Sequence, residues 1–444
     1  MKKILVLGAG LSSSYLIKYL SKLAAEENWM VSVADADQHQ AILKAGNHPQ
    51  LKAIRLNVSD AFELDQLIAE HDVVISLIPP AMHIFVAKVC LKHKKHLITA
   101  SYISPEMHNL HVDALKAGVL FLNECGLDPG IDHLSAMQAI HRLQGAGAKI
   151  TSFKSYCGGL VAPEFDTNPW HYKFTWNPRN VVLAGQATAK YLENNELKFI
   201  PQGRIFTQTE PVLMKNEAFE SYANRDSLGY IKPYGIEGAQ TVLRGTLRKK
   251  GYSHAWNMLI KLGLTDDTFI MTDASTLTYR MFTSAFTPGT GMAQLEERIA
   301  NFLGIQTTDE AFKQLHWLGL FDEEQIKLNE GTPAQILQLL LQHKWKLGKG
   351  ELDMIVMQHN IEYTIDKKEY RLLCNLMVKG EDETYTAMAK TVGLPLGIAA
   401  KQLLQGKIKL TGVQMPLHAE IYEPILDELK TYGVAFEEST EQLH

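Results

Sequence analysis

Hydrophobic and polar positions follow two spacings in the first part of the chain. Residues 4–7 (ILVL) form a short unbroken apolar run, the pattern of a strand covered on both faces in a parallel sheet. The run enters Gly8-Ala9-Gly10, after which Leu16, Ile17, Leu20 and Leu23 recur at helical spacing. Further strand-like runs lie at 31–34, 54–58, 73–78, 97–100 and 119–123, with helical patterns between most of them. This alternation predicts an α/β unit, a doubly wound parallel sheet with ligands at the carboxyl ends of its strands.

The texture changes from residue 149. ITSFKSYCGG, LKFIPQGRIF and GAQTVLRGTLRKKGY read as strands of an antiparallel or mixed sheet joined by polar loops. Residues 292–347 read as helical, with TPAQ as a capped start. Strands resume at 354–356 and around 362–378, and helices near 385–404 and 419–431 follow. The second part is therefore expected to be a mixed-sheet α+β domain. No internal repeat or low-complexity segment is present.

A length of 444 residues favours two or three domains over one core. Hydrophobic and charged fractions of 46% and 21% are those of an ordinary globular protein, and a formal charge of -5 offers no attraction to nucleic acid or anionic membrane. The longest uncharged stretch, 73–87, holds Pro79, Pro80 and His83 and falls short of a membrane span. Cys90, Cys125, Cys157 and Cys374 are scattered with no CxxC pair. That suits a reducing cytoplasm and argues against a disulfide framework or structural zinc; no metal is expected. Lys2 and Lys3 before an apolar stretch suggest a signal peptide, but glycine breaks the run too early.

At the first turn, Gly8 permits a tight bend and Gly10 lets backbone approach a pyrophosphate, which the N–H groups of the following helix would favour. Ser13 stands where the usual fingerprint has a third glycine, and it is small enough for close helix–strand packing. Such turns also occur without a ligand. Asp35, ending the second strand, is placed to bind adenosine ribose hydroxyls and to repel a 2′-phosphate, favouring NAD over NADP. The rival readings are a solvated loop carboxylate, or Asp37 in that role. The turn at 76–80, including Ile78, is expected along the cofactor, and Val58 in NVSD at the adenine edge.

SYIS (101–104) and NECGLDPGIDH (123–133) follow later strands and so fall on the reacting edge. Asp128-Pro129 reads as a helix N-cap with proline at the first helical position, a terminus whose N–H groups suit a carboxylate. Tyr102 is a hydrogen-bond donor or a half-buried aromatic. Cys157 reads as a small buried or substrate-contacting residue rather than a covalent nucleophile. Arg225, Arg244 and Arg248 suit bidentate carboxylate recognition, although isolated surface arginines are common.

With SYIS, GLDPGIDH, SYCGG, NRDS and RGTLR in this order, the chain resembles the L-glutamate-forming saccharopine dehydrogenases. The likeness spans almost the whole chain and includes VGLPLGIAAKQLLQGKIKLTGVQMP and EIYEPILDELKTYGV. It implies reversible oxidation of saccharopine at its secondary amine, through an imine that water opens to L-glutamate and 2-aminoadipate 6-semialdehyde, in lysine metabolism. The resemblance places substrate contacts on Ser101, Tyr102, Asp128, Pro129, Gly130, Arg225, Thr246, Leu247 and Arg248. It places cofactor contacts on Gly8, Gly10, Leu11 and Asn177, with Ser12 beside them. Tyr102, Asp128 and Cys157 are the candidates for influencing the amine proton, with substrate positioning their first role. The implied plan is a Rossmann domain over 1–127 completed by about 383–444, and a substrate domain over 128–382 with a helical insertion at about 292–347.

Fungal biosynthetic relatives carry an arginine just after strand two that suits NADP. Here Ala36 follows Asp35, so NAD and a degradative direction are expected, with NADP left open. Val161 replaces the proline of the relatives' GGLPAPE. The expected partner is a small tricarboxylate, with neither nucleic acid nor membrane, and a homodimer is the expected assembly. Two other readings stand beside this one: a carboxynorspermidine-type imine reductase, whose substrate has fewer carboxylates, and a non-catalytic dinucleotide-binding sensor.

Overall fold

The computed structural model describes residues 1–215 and 217–443. It divides into two compact units, Met1–Ala148 with Leu376–Glu437, and Lys149–Asn375 with Glu438–His444. The chain opens with β1 (Lys3–Leu7), α1 (Ser14–Glu27), β2 (Met30–Asp35), α2 (Gln38–Ala45), β3 (Leu51–Arg55), α3 (Ala61–Ala69), β4 (Val73–Ser76) and α4 (His83–Lys92). It continues with β5 (His96–Thr99), α5 (Pro105–His108), α6 (His111–Ala117), β6 (Leu120–Leu122) and α7 (Ile131–Gly145).

The second unit holds β7 (Lys149–Val161), α8 (Pro178–Val182), β8 (Ala189–Glu193), β9 (Glu196–Ile200), β10 (Thr209–Met214), β11 (Glu217–Ala223) and β12 (Thr241–Lys249). Helices α9 (Tyr252–Lys261), α10 (Tyr279–Ala285), α11 (Leu295–Leu303), α12 (Glu310–Leu318) and α13 (Pro333–Lys344) precede β13 (Asp353–Ile365) and β14 (Lys368–Lys379). The chain then returns to the first unit through α14 (Ala387–Leu404), β15 (Gly412–Gln414) and α15 (Ala419–Thr431), and β16 (Glu437–Gln442) follows.

The first unit is a seven-stranded sheet in the order β15-β6-β5-β4-β1-β2-β3, with each neighbouring pair parallel. Ile4, Leu5, Val6 and Leu7 are fully buried, as the unbroken apolar run requires, each contributing about 1.5–3 kcal/mol of transfer free energy. The order reverses between β1 and β4, and the carboxyl ends on either side of that switch carry Gly8 and Ser76. The seventh strand, β15, comes from the far end of the chain, and α14 packs on α1.

The second unit is a nine-stranded mixed sheet, ordered β10-β11-β12-β7-β13-β14-β16 along its main path, with β8 and β9 attached through β12. In it β7 pairs parallel with β12 and antiparallel with β13. The division into units falls after Ala148, because α7 packs against α15. The last segment divides too, since β16 is ordered beside β14.

Several elements differ from the sequence reading. The third strand is Leu51–Arg55, not 54–58, because its partner β2 ends at Asp35 opposite Arg55, and Asn57 and Asp60 then close a turn. LKFIPQGRIF is not one strand: β9 stops before Pro201, which lacks an N–H, and a 3₁₀ turn follows at Ile205–Thr207. GAQTVLRGTLRKKGY ends as a strand at Lys249, and α9 starts at Tyr252, so helical structure begins well before 292. At α13, Thr332 and Gln335 form the reciprocal capping box that TPAQ announces.

Candidate active site

At the end of β1, Gly8 has φ +102°, a region open to glycine, and a Cβ there would meet the Leu77 carbonyl at 3.0 Å. At Gly10 a Cβ would meet nothing within 4 Å, so the turn leaves room for a pyrophosphate at the approach to α1. Leu11 is exposed, Ser12 half-buried, and buried Ser13 closes on the Gly10 carbonyl at 2.8 Å. The cofactor residues of this turn therefore stand together, and their backbone fits a dinucleotide.

Asp35 is half-buried at the end of β2. Its Oδ2 accepts from the Ala9 N–H at 2.7 Å and its Oδ1 from the Asp37 N–H at 2.9 Å, which ties the end of β2 to the glycine turn. Each oxygen retains a lone pair for a ribose hydroxyl. Asp37 has another task, capping α2 through the His39 N–H. Val58 and Ile78 are half-buried and packed on the apolar core below the sheet edge, both beyond their strands.

The reacting edge is built from the loops after β5 and β6. Tyr102 Oη donates to Asp128 Oδ1 at 3.3 Å, so the two chemically strongest candidates are neighbours. Asp128-Pro129 is a cis peptide, and the N-cap of α7 is Gly130, not Asp128. This corrects the expected capping role. The loop instead folds back on itself, with Gly126 N–H donating to the Pro129 carbonyl at 2.9 Å and Ile131 N–H to the Gly126 carbonyl at 2.8 Å. Gly130 has φ +151°, and a Cβ on it would lie 2.0 Å from the Gly126 carbonyl oxygen.

Glu124 and His133 act in a way the sequence reading missed. The Glu124 N–H donates to the Ser101 carbonyl at 3.0 Å, and its Oε1 accepts from the Ile103 N–H at 3.1 Å, bracketing Tyr102 from both sides. Its Oε2 lies 2.9 Å from buried His133 Nε2. Asp132 accepts from the Gly130 N–H at 2.5 Å. The available signal was three ionisable residues, Glu124, Asp132 and His133, around an apolar, glycine-rich stretch.

A second missed histidine is His83, which opens α4 beneath Ser76 and Ser101. Burial pushes its imidazole from the ordinary range near 6.5 down to about 4. A folded-state pKa below the unfolded one gives stability that is complete above about pH 6.5 and lost as pH falls toward 4. The loss reaches about 3 kcal/mol. Thermal unfolding at pH 7 and pH 5 is expected to show a lower midpoint at pH 5, with a flatter dependence in His83→Gln. Equal dependence in both proteins would contradict the assignment.

In the second unit, strand register brings Thr246 beside Cys157. Cys157 is 7% exposed, and Leu247 is buried against Gly158, where a Cβ would lie 2.7 Å from the Leu247 carbonyl. Arg248 is buried, its guanidinium over the rings of Tyr172, Tyr252 and Tyr222 at 4.9, 5.2 and 5.9 Å. Its Nη1 donates to the Leu247 carbonyl at 2.8 Å, while its Nε has no hydrogen-bond partner. Arg244 stacks on Tyr230 at 4.5 Å. Exposed Arg225 has φ +54° and lines a largely apolar cavity of about 480 Å³ with Ala189, Ile200 and Pro201. Asn177 caps α8 through the Arg179 N–H at 3.0 Å.

Comparisons with known proteins bear out the fold and show the family. Residues 4–122 match the model described as the saccharopine dehydrogenase NADP binding domain, and residues 126–434 the saccharopine dehydrogenase C-terminal domain. The saccharopine dehydrogenase [NADP(+), L-glutamate-forming] of Schizosaccharomyces pombe is 36% identical over 448 residues, 99% of each chain. The mitochondrial alpha-aminoadipic semialdehyde synthase of Bos taurus is 38% identical over 98% of this chain, which spans 47% of that longer protein. The apo saccharopine dehydrogenase (L-Glu forming) structure from Saccharomyces cerevisiae superposes with a TM-score of 0.88 at 34% identity, covering 99% of this chain and 100% of that one.

Proposed function

Since the chain belongs to the L-glutamate-forming saccharopine dehydrogenase family, we propose that Tyr102 and Asp128 position the secondary amine of saccharopine. The enzyme interconverts saccharopine, NAD(P)+ and water with L-glutamate, 2-aminoadipate 6-semialdehyde and NAD(P)H. The observation that carries the residue assignment is the Tyr102–Asp128 hydrogen bond at the carboxyl edge of the sheet that bears the glycine turn.

The bound nicotinamide supplies a hydride acceptor for the amine carbon. The chain's own residues do the rest. Gly8, Gly10 and the following N–H groups hold the phosphates, and Asp35 takes the adenosine ribose. Asp128 accepts a hydrogen bond from the Tyr102 hydroxyl, so the pair presents a fixed phenol and a carboxylate oxygen to a cationic amine. Within the second unit, Arg248 is a buried cation with an unused donor, chemistry suited to a carboxylate, and this supports a carboxylate-rich substrate over a carboxynorspermidine-type one. Cys157, beside Thr246 and nearly buried, serves as a small contact. Asp35 followed by Ala36 supports NAD as the preferred cofactor.

Asp128→Ala is expected to lower kcat/KM for saccharopine about 10–100-fold, the worth of a hydrogen bond to a charged group, while leaving NAD affinity within about twofold. Steady-state kinetics with a parallel cofactor titration checks it. Unchanged affinity for saccharopine would refute the assignment.

A further inference from the structure

We propose that His83 is a positioning residue that makes the Ser101 hydroxyl an outward-facing donor for a substrate carboxylate. The inference rests on the reading that Ser101 touches saccharopine, and adds how its polarity is set. His83 is 4% exposed, and its ring nitrogens face hydroxyls alone. Nδ1 lies 2.9 Å from Ser76 Oγ at the end of β4, while Nε2 lies 2.8 Å from Ser101 Oγ and 3.2 Å from Thr99 Oγ1.

Burial keeps the imidazole neutral, so it carries one N–H and one lone pair. The two ends are therefore linked: whichever nitrogen accepts, the other donates. Ser76 and Thr99 are both buried hydroxyls that face this ring, and the closer contact, 2.9 Å at Nδ1 against 3.2 Å at Nε2, gives the ring lone pair to the Ser76 proton. With Nδ1 accepting, the proton of the ring sits on Nε2 and is donated to Ser101 Oγ. Thr99 Oγ1 accepts from the Ser101 N–H at 3.3 Å and so fixes the backbone from which that hydroxyl projects. Ser101 Oγ thus already accepts one hydrogen bond, and its own proton points away from the imidazole. Ser101 is half-buried, at the carboxyl end of β5 where the substrate loops begin, and a donor there fits a carboxylate.

The chain Ser76–His83–Ser101 also joins the cofactor-side turn after β4 to the substrate-side loop after β5. Ser76 is out of reach of any ligand, yet its hydroxyl fixes the tautomer and with it the polarity of Ser101. This distinguishes the arrangement from simple packing: deleting a buried hydroxyl changes recognition of one substrate and not the other.

The test measures kcat and KM for saccharopine at saturating NAD, and KM for NAD at saturating saccharopine, in the full chain. Ser101→Ala and His83→Phe are each expected to raise saccharopine KM about tenfold, and Ser76→Ala about threefold, with KM for NAD held within about twofold. His83→Gln, which can return an N–H toward Ser101, is expected to recover most of the loss. The double variant Ser101→Ala/His83→Phe should be no worse than Ser101→Ala alone, because both remove one interaction. If His83→Phe does not fold, the cycle of Ser76→Ala with Ser101→Ala makes the same comparison with two small deletions. Additive losses, or equal damage to both substrates, overturn the role of His83 while leaving Ser101 as a substrate contact. An unaltered saccharopine KM in Ser101→Ala removes that contact itself, and the inference with it.

Discussion

Gly130→Ala is expected to reduce kcat/KM for saccharopine by more than about 100-fold and to destabilise the fold by about 3 kcal/mol or more. Two causes add. The residue has φ +151°, a region that side chains rarely adopt, and its new Cβ would lie 2.0 Å from the Gly126 carbonyl oxygen and 2.2 Å from the Gly126 nitrogen. Relief requires Gly126 and Gly130 to part, yet their backbones carry the hydrogen bonds that fold Asp128 and Pro129 into the loop. Asp128 would then lose its place beside Tyr102. Gly118→Ala provides the control: it too has positive φ (+69°), but a Cβ there meets nothing within 4 Å. It should lose only about 1–2 kcal/mol of stability, with kinetics unchanged. Similar kinetic losses in the two variants would mean that the loop geometry does not govern the chemistry.

At Asp35, substitution by serine is expected to raise the ratio of kcat/KM with NADP to that with NAD by about 100-fold or more. A 2′-phosphate brought against a carboxylate costs several kcal/mol, and serine removes that repulsion. The variant should also bind NAD about tenfold more weakly, because the carboxylate holds the Ala9 N–H as well as offering a ribose acceptor. Asp35→Asn separates the two effects. It keeps one oxygen for Ala9 but drops the charge, so NAD binding should fall less while NADP discrimination is still lost. Parallel kinetics with both cofactors reads the outcome. A native enzyme that uses NADP as well as NAD would leave Asp35 without this role.

The first unit was largely legible because its signals are local. A buried parallel strand shows as an unbroken apolar run, and a turn that needs positive φ shows as glycine, so β1 and Gly8 could be placed from adjacent residues. The family motifs supplied the long-range part, including Tyr102 and Asp128, which lie 26 residues apart in the chain and meet in the fold. Local rules failed where a local pattern had two solutions. Asp128-Pro129 before a helical run has the sequence of a cap, but the loop's own backbone bonds move the helix start to Ile131. The third strand slid to Leu51–Arg55 because partner length set its end, and partner length is invisible to a single segment.

His83 and Glu124 escaped for another reason. Each is a buried polar residue whose partners come from separate loops, Ser76, Thr99 and Ser101 for one, Ser101, Ile103 and His133 for the other. A buried histidine inside an uncharged stretch reads in sequence like any core histidine. Only the convergence of strand ends turns it into a fixture of the site. Arg248 shows the converse: strand β12 places it in a ring of tyrosines, a setting that the spacing of arginines in RGTLR could not disclose.

The most direct measurement is to mix the purified protein with saccharopine and NAD and follow reduced nicotinamide together with released L-glutamate. Equal amounts of both products, formed faster with NAD than with NADP, are predicted. Binding of the dinucleotide with no reduced nicotinamide and no glutamate would contradict the account.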